Sequence, residues 1–252
     1  MTEATSGEAD TSPITAEPGA ASEAASAPPR RGLSALQIAV LVAACAFLGS
    51  TIGFVVGQRS NDDPLSAVDV GFMQDMGEHH TQAVQMSLLL LDKPEVDRGL
   101  KSFATEIIIG QRYEQGVFAS TLSRFGHASE PGDTVMGWMG EPYPVDEMPG
   151  LATEAQMAEL ADAEGDDAAA LWIALMCEHH LAGLHMADYE ARHGSDSTTV
   201  KLAKAMVKTQ RSEVIDIQRY RTTHDLPIPD GFTDPLDDQR LNPISFTDPE
   251  GD

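Results

Sequence analysis

One segment of the sequence occurs twice, and this repeat limits the folds that the chain can adopt. MGEHHTQAVQM at 76–86 returns as MCEHHLAGLHM at 176–186, at an offset of 100 residues. The following segment also recurs, because ATEIIIGQRYE at 104–114 aligns with AKAMVKTQRSE at 203–213 at an offset of 99 residues. A repeated pair of successive helices is a repeated helical hairpin. Two such hairpins predict an all-α protein with a four-helix up-down bundle.

The spacing of apolar residues places one histidine of each pair on the core side of its helix. Successive positions are three and four residues apart, as in the apolar stripe of a bundle helix. The first stripe is Asp69, Phe72, Met76, His79, Ala83, Met86 and Leu90. The second is Ala169, Trp172, Met176, His179, Gly183 and Met186. The second histidine of each pair, His80 or His180, lies about 100° further around the helix, at the seam.

The histidines and methionines on these stripes are a donor set for a soft metal ion. Imidazole nitrogen and thioether sulfur favour copper, particularly Cu(I). A core methionine alone usually fills space, and a single inward histidine is usually a hydrogen-bonded core residue. The repetition in both hairpins favours a metal site. The candidate ligands from this pattern are His79, His80, Met76, Met86, His179, His180, Met176 and Met186.

Polar residues on the second helix of each hairpin are candidate partners of these histidines. Gln111 aligns with Gln210, and Glu114 aligns with Glu213. In metal sites such side chains often orient the imidazole rings from the second coordination shell. They are equally suited to bind a harder metal directly through oxygen, so both alternatives stay open.

Charge and cysteine content exclude several kinds of function. The 252 residues include 40 Asp and Glu against 16 Lys and Arg, for a net charge of −24. Nucleic-acid binding requires a cationic surface, so no nucleic-acid partner is expected. The two cysteines, Cys45 and Cys177, are not expected to form a disulfide, and no CxxC motif is present. The sequence contains no nucleophile–base arrangement and no phosphate-binding loop, so no catalytic residue is predicted.

The N-terminal part predicts a tail followed by a membrane anchor. Residues 1–31 are poor in large apolar side chains and are predicted to be a disordered cytoplasmic tail. Residues 32–58 contain an uncharged apolar run that predicts a single-pass transmembrane helix. Two arginines precede the run and one follows it, which places everything after residue 60 outside the cell membrane. A cleaved signal peptide or a lipoprotein site at VAAC, 42–45, fits less well, because the apolar run is long and continues after Cys45.

The remaining residues divide into two hairpins with a connection and a tail. The first hairpin spans 64–126, with helices expected to begin at Pro64 and Pro94 and to end before Gly126. A Gly- and Pro-rich connection follows at 127–152. The second hairpin spans 153–224, and Thr153 with Gln156 forms a predicted capping box at its start. Residues 225–252 are an acidic, Pro-rich tail that is expected to be extended or disordered.

These motifs resemble a bacterial family called domain of unknown function 305. DVGFMQDMGEHHTQAVQM at 69–86 is similar to that family's D-x-x-F-M-x-x-M-x-x-H-H-x-x-A-x-x-M signature. IIIGQRYEQGVFASTLSRFG at 107–126 resembles its next helix, and EMPGLATEAQMAELADAEGDD at 147–167 resembles its usual lead-in to a second copy. ALWIALMCEHHLAGLHMADYE at 170–190 looks like the same signature again. The resemblance covers roughly residues 65–225.

The resemblance implies a ferritin-like bundle and, for some members of the family, copper binding or tolerance in the periplasm. It adds Met73 to the candidate ligands and Asp69 to the candidate second-shell partners. The second copy departs from the signature, because Ala169 replaces the aspartate and Ile173 replaces the methionine. A second metal site is therefore expected to be weaker or purely structural. His185 and Cys177 are additional donors near it.

Together these features predict a membrane-anchored, extracytoplasmic protein that binds or buffers copper. One alternative is a metal-free structural or interaction module of a membrane complex or homo-oligomer. Another is a ferritin-like di-metal oxidase, with iron in place of copper. The oxidase fits less well, because such bundles use Glu-x-x-His motifs, whereas Glu and His are adjacent in both repeats.

Overall fold

The computed structural model describes residues 34–59 and 65–247 of the chain. The chain divides into two compact units, Met1–Ser60 and Asn61–Asp252. The predicted disordered tail at 1–31 and the last five residues of the predicted C-terminal tail lie outside the described residues.

The first unit contains helix α1, Ala35–Arg59, which is 25 residues long. The predicted transmembrane helix over 32–58 is therefore helical from Ala35 onward, residues 32 and 33 lie outside the described residues, and its membrane-spanning character is not confirmed. Within the described ranges, no helix combines the length and the apolar character that crossing a membrane requires.

The second unit is mostly helical, in agreement with the predicted all-α class. Its helices are α2 (Ala67–Leu91), α3 (Arg98–Phe125), α4 (Glu154–Asp162), α5 (Gly165–His193), α6 (Ser197–Thr223) and α7 (Ile244–Thr247). Helix α2 packs along α3, and α5 packs along α6. The two hairpins meet chiefly where α2 packs against α5. The helices that carry the two histidine pairs therefore face each other.

The start of α2 is set by a capping box rather than by a proline. The Ser66 hydroxyl accepts a hydrogen bond from the backbone N–H of Asp69, and the Asp69 carboxylate accepts one from the N–H of Ser66. Two of the free N–H groups at the helix start are thereby satisfied. The helix begins at Ala67, three residues after the predicted start at Pro64.

Other helix ends follow the same local rules. Helix α3 begins after Asp97, whose carboxylate accepts from the N–H of Gly99, and not at the predicted Pro94. It ends at Gly126, which adopts φ 81°, the left-handed conformation that favours glycine. Helix α4 begins with the predicted capping box of Thr153 and Gln156.

The connection between the hairpins contains a small sheet that the sequence analysis did not predict. Strands β1 (Thr134–Val135) and β2 (Tyr143–Pro144) pair in antiparallel fashion, with 3₁₀ turns at Gly137–Met139 and Val145–Glu147. The buried Asp75 carboxylate on α2 accepts hydrogen bonds from the Met136 N–H at 2.6 Å and from Trp138 Nε1 at 2.7 Å. Burial raises the pKa of Asp75 in spite of these bonds. Asp75 thus holds the connection against the first hairpin.

The C-terminal tail differs from its prediction. Residues 225–247 are folded against α5 and α6, with 3₁₀ turns at Pro235–Asp237 and Gln239–Leu241 before α7. The Leu241 side chain is buried, and Arg240 pairs with Glu178 at 3.1 Å. The high content of proline and aspartate suggested disorder, whereas a few apolar side chains and ion pairs are enough to hold the segment on the second hairpin.

Candidate metal centre

The first histidines of the two pairs meet in the core between α2 and α5. His79 and His179 are both fully buried, and their rings stack with centroids 3.6 Å apart and an interplanar angle of 26°. The two copies of the repeat therefore contribute to one centre, a point that the sequence left open.

Hydrogen bonding fixes the tautomer of His179. Its Nε2 atom lies 2.8 Å from the backbone carbonyl oxygen of His79. A carbonyl oxygen can only accept, so Nε2 carries the proton, and the neutral ring keeps a lone pair on Nδ1. That Nδ1 atom and both ring nitrogens of His79 are buried and have no hydrogen-bond partner among the described residues.

The second histidines of the pairs each contact a glutamate on the neighbouring helix. His80 Nε2 lies 2.7 Å from Glu114 Oε2, and His180 Nε2 lies 2.8 Å from Glu213 Oε2. Because a carboxylate accepts, Nε2 is again the protonated nitrogen. Within the described part of the chain, the buried Nδ1 atoms of both rings have no partner. This carboxylate–imidazole arrangement is the one that orients histidine ligands in metal sites.

Burial keeps the central imidazoles in the neutral form that binds metals. The pKa of His79 is lowered well below its usual value, first by burial and then by the neighbouring histidines. Burial likewise lowers the pKa of His179, and His180 adds to the effect. Neutral imidazole presents a free lone pair, whereas imidazolium does not.

The two aligned glutamines do not bond to the histidines. Gln111 and Gln210 are both buried, and in the structure as described neither Oε1 atom has a hydrogen-bond partner. Gly183 lies one turn after His179, and a Cβ atom there would collide with the Gln210 carboxamide. Gln210 therefore fills the space beside this turn of the helix.

A glycine of the connection covers the histidine centre, which the sequence analysis missed. Gly150 has φ +84°, and a Cβ atom there would collide with Ala182 and lie 3.1 Å from His79 Nε2. Only a residue without a side chain allows the backbone to approach so closely. The signal in the sequence was the short MPG segment that ends the connection.

The candidate methionines all lie in the core. Met73, Met76, Met86, Met176 and Met186 are almost completely buried. The Thr199 hydroxyl lies 3.9 Å from the Met73 sulfur. Burial alone does not distinguish a ligand from a space-filling side chain, so their role as metal ligands stays a prediction.

Asp69 does not act on the histidines, contrary to its predicted place in their second shell. Its carboxylate accepts from the Ser195 N–H at 3.0 Å, from the Ser195 hydroxyl at 2.7 Å and from the Asp196 N–H at 3.0 Å. Burial opposes ionisation of this group, but the hydrogen bonds outweigh it and lower the pKa of Asp69 to about 2. Asp69 thus ties the start of α2 to the turn between α5 and α6.

A second acidic group, near the Asp69 carboxylate, was also not predicted from the sequence. Glu190 is fully buried, and none of the described residues forms a hydrogen bond with its carboxyl oxygens by distance and angle. Burial, followed by the nearby Asp69 carboxylate, raises the pKa of Glu190 to about 9. A side chain at Gly194 would collide with this carboxyl group, so the glycine makes its position possible.

Cys177 and His185, the two additional donors near the second copy, make contacts outside the histidine centre. The Cys177 thiol accepts a hydrogen bond from Gln218 Nε2 at 3.3 Å, and burial raises its pKa to about 12. His185 is partly exposed and lies 3.3 Å from Glu141. The structure therefore does not bring either residue into the histidine centre.

Across residues 34–59 and 65–247, no three His, Cys, Asp or Glu side chains are arranged so that they could hold a metal ion. The stack of His79 on His179 gives one reason. Imidazole lone pairs lie in the ring plane, so nearly parallel rings direct them side by side instead of toward one point. Joint binding of one ion by both rings requires at least one imidazole to rotate.

The comparison with protein families assigns the second unit. The family described as Domain of unknown function (DUF305) matches residues 69–221. The chain belongs to the DUF305 family. This confirms the resemblance seen in the repeated histidine motif. No curated protein matches the chain.

Solved DUF305 structures are similar to this chain. The "putative secreted protein DUF305 from Streptomyces coelicolor" shares 31% identity over 64% of this chain and 96% of its own, with a TM-score of 0.60. A DUF305 fragment from Deinococcus radiodurans shares 26% identity over 64% of this chain and 99% of its own, with a TM-score of 0.55. CopM in its Cu(I)-bound form shares 22% identity over 62% of this chain and 96% of its own, and its TM-score of 0.47 is too low to carry an argument.

Proposed function

We propose that the second unit is an extracytoplasmic copper-binding domain that buffers Cu(I) between its two hairpins, within a ferritin-like four-helix bundle. One observation carries the proposal: both repeats bury histidine nitrogens that have no hydrogen-bond partner among the described residues. The nitrogens are Nδ1 and Nε2 of His79 and the Nδ1 atoms of His80, His179 and His180.

Burying these nitrogens without partners destabilises the folded protein unless a bound ligand satisfies them. Leaving a buried polar group unsatisfied costs about 1–3 kcal/mol, so native structures contain few such groups. Here the unsatisfied nitrogens belong to the four histidines of the two EHH segments. A bound metal ion would give these lone pairs a partner and offset the cost.

The donor types favour copper over a harder metal. Glu114 and Glu213 each accept a hydrogen bond from a histidine, which suits them to orient ligands. The other candidate donors in the same core are methionine thioethers, which prefer soft ions such as Cu(I). A ferritin-like di-metal oxidase has less support, since its metal centre depends on carboxylate ligands.

The proposed extracytoplasmic location is supported by the description of a similar protein. The Streptomyces coelicolor protein, described as a "putative secreted protein", is 31% identical over 64% of this chain. Cu(I) buffering by histidine and methionine is consistent with that location.

The test is an anaerobic Cu(I) titration of the whole protein against a chromophoric competitor. The proposal expects tight binding by the parent and a loss of affinity in the variant His79→Ala, His80→Ala, His179→Ala, His180→Ala. The matched control replaces two histidines outside the centre, His127→Ala and His185→Ala, and should bind as the parent does. Circular dichroism establishes that each variant is folded. Equal binding by all three proteins would overturn the histidine centre as the site.

A metal-free structural or interaction module is the second candidate, and the ring stack favours it. His79 and His179 pack face to face at 3.6 Å without needing an ion between them. This candidate expects no Cu(I) binding by the folded parent. It also expects the quadruple variant to lose stability in the absence of any metal.

A further inference from the structure

A groove on the first hairpin has a counterpart on the second hairpin that is filled by the chain itself. The groove lies between α2 and α3 and has a volume of about 390 Å³. Its lining includes Gly77, Glu78, Thr81, Arg112, Gln115 and Gly116. The repeat offsets of 100 and 99 residues relate Glu78 to Glu178 and Arg112 to Arg211.

The counterparts of these two charged residues hold the C-terminal segment. Glu178 pairs with the Arg240 guanidinium at 3.1 Å. The Arg211 side chain donates from Nε to the backbone carbonyl oxygen of Leu241 at 2.9 Å, and its guanidinium lies 4.5 Å from the centre of the Phe246 ring. A glutamate and an arginine on adjacent helices thus recognise an arginine, a backbone carbonyl and an aromatic ring in one short segment.

Two residues that line the groove on the first hairpin are smaller than their counterparts on the second hairpin. Gly77 stands where the second hairpin has Cys177, and Gly116 stands where it has Ile215. A Cβ atom at either glycine would meet no described atom within 4 Å. Glycine inside a helix is less favourable than alanine, so two glycines beside one groove keep space open at the expense of stability.

The exposed side chains show that no described segment covers the groove in the way that the C-terminal segment covers its counterpart. Glu78 and Arg112 are exposed, whereas Glu178 and Arg211 are partly buried. Cys177 is buried, but Gly77 is only half-buried. Arg112 donates to the neighbouring Gln115 at 3.1 Å, a surface contact that it can exchange for another acceptor.

We propose that this groove binds an extended segment of a partner protein that carries an arginine, followed by apolar and aromatic residues. The arginine pairs with Glu78, a backbone carbonyl accepts from Arg112, and an apolar side chain fills the space above the two glycines. Glu130 at the rim adds a second acidic group, which favours a basic segment.

The probe is a synthetic peptide with the sequence of residues 238–247, DQRLNPISFT, blocked at both ends and labelled. Fluorescence anisotropy measures its binding to the whole protein. We expect saturable binding at one site, weakened about tenfold or more by the double variant Glu78→Lys, Arg112→Ala, because charge-assisted hydrogen bonds are lost. The charge-matched control Glu106→Gln, on the exposed face of α3, should bind as the parent does. A peptide with glutamate in place of its arginine should bind more weakly.

Three results would overturn the proposal. The first is no binding of the peptide by the folded parent. The second is binding that survives Glu78→Lys, Arg112→Ala but is lost in Glu178→Lys, Arg211→Ala, which would mean that the peptide only exchanges with the resident tail. The third is a dimer of the protein, measured by light scattering, that Glu78→Lys, Arg112→Ala dissociates. In that case the occupant would be a second copy of this chain.

Discussion

The imidazole of His179 donates a hydrogen bond from Nε2 to the backbone carbonyl oxygen of His79, over 2.8 Å. The bond crosses from α5 to α2, so it joins the two hairpins through equivalent residues of the repeat. It also holds one ring in the tautomer whose Nδ1 lone pair is free, while the other ring stacks on it. This hydrogen bond therefore both joins the two hairpins and sets the tautomer of a candidate metal ligand.

Removing the carboxylate that contacts His80 is expected to weaken copper binding. In the variant Glu114→Gln the side chain keeps its size but loses the charge that fixes the His80 tautomer. Loss of such a second-shell partner typically lowers metal affinity by about 10–100-fold. Competitive Cu(I) titration measures the effect, and Glu106→Gln on the same helix is the control. Unchanged affinity in folded Glu114→Gln would mean that this carboxylate does not serve a metal ligand.

The cover over the histidine centre predicts a position-specific loss of stability. Gly150→Ala places a Cβ atom against Ala182 and close to His79 Nε2, at a residue with φ +84°. Gly140→Ala is a matched control, because Gly140 also has φ +84° but has no described atom within 4 Å of the added Cβ. In both variants the left-handed backbone lowers the free energy of unfolding by about 1–2 kcal/mol. Only Gly150→Ala adds a packing cost, so urea denaturation should give it the clearly lower unfolding free energy.

The sequence was sufficient for those features that repeat with the period of a helix. The 3–4 spacing predicted that His79 and His179 face the core, which they do, because neighbouring turns of a helix have fixed geometry. The alignment proposed Gln111 and Gln210 as well as Glu114 and Glu213 as histidine partners, and only the two glutamates contact histidines. The ring stack itself depends on how α2 packs against α5, which no local pattern specifies.

The features that the sequence did not predict depend on contacts between distant segments. Asp75 holds Trp138 across 63 positions of the chain, and the Arg240–Glu178 pair spans 62 positions. Neither contact has a period or a local motif. The tail shows the physical reason most clearly, because its composition favours disorder while the Arg240–Glu178 pair, the Arg211 contacts and the buried Leu241 side chain hold it in place.

The buried Glu190 predicts that stability falls as the pH rises. Its pKa is about 9 in the folded chain against an ordinary value of 4.5, mainly because of burial. The folded state therefore holds this proton more strongly than the unfolded state. The stability that this group contributes is complete below pH 4.5 and is lost as the pH rises toward 9, at up to about 1.4 kcal/mol per pH unit.

The variant Glu190→Gln removes this dependence while keeping the shape of the side chain. We expect its unfolding free energy, relative to the parent, to increase between about pH 6 and about pH 8. Urea denaturation at both pH values measures the change. Titration of His79 and His179 occurs in both proteins and cancels in the difference. Glu154→Gln, at an exposed position of α4, should show no such trend, and a flat difference for Glu190→Gln would show that Glu190 ionises normally.

Two helical glycines are expected to respond to alanine in opposite directions. Gly77→Ala adds a methyl group where no described atom lies within 4 Å, so it should stabilise the protein by about 0.5–1 kcal/mol through helix propensity. Gly183→Ala places the same group against the Gln210 carboxamide, and the resulting displacement beside His179 should outweigh the gain in propensity. Thermal and urea unfolding of the two variants test this difference. Stabilisation by both substitutions would show that Gln210 moves freely, and that the space beside His179 is not specifically shaped by Gly183.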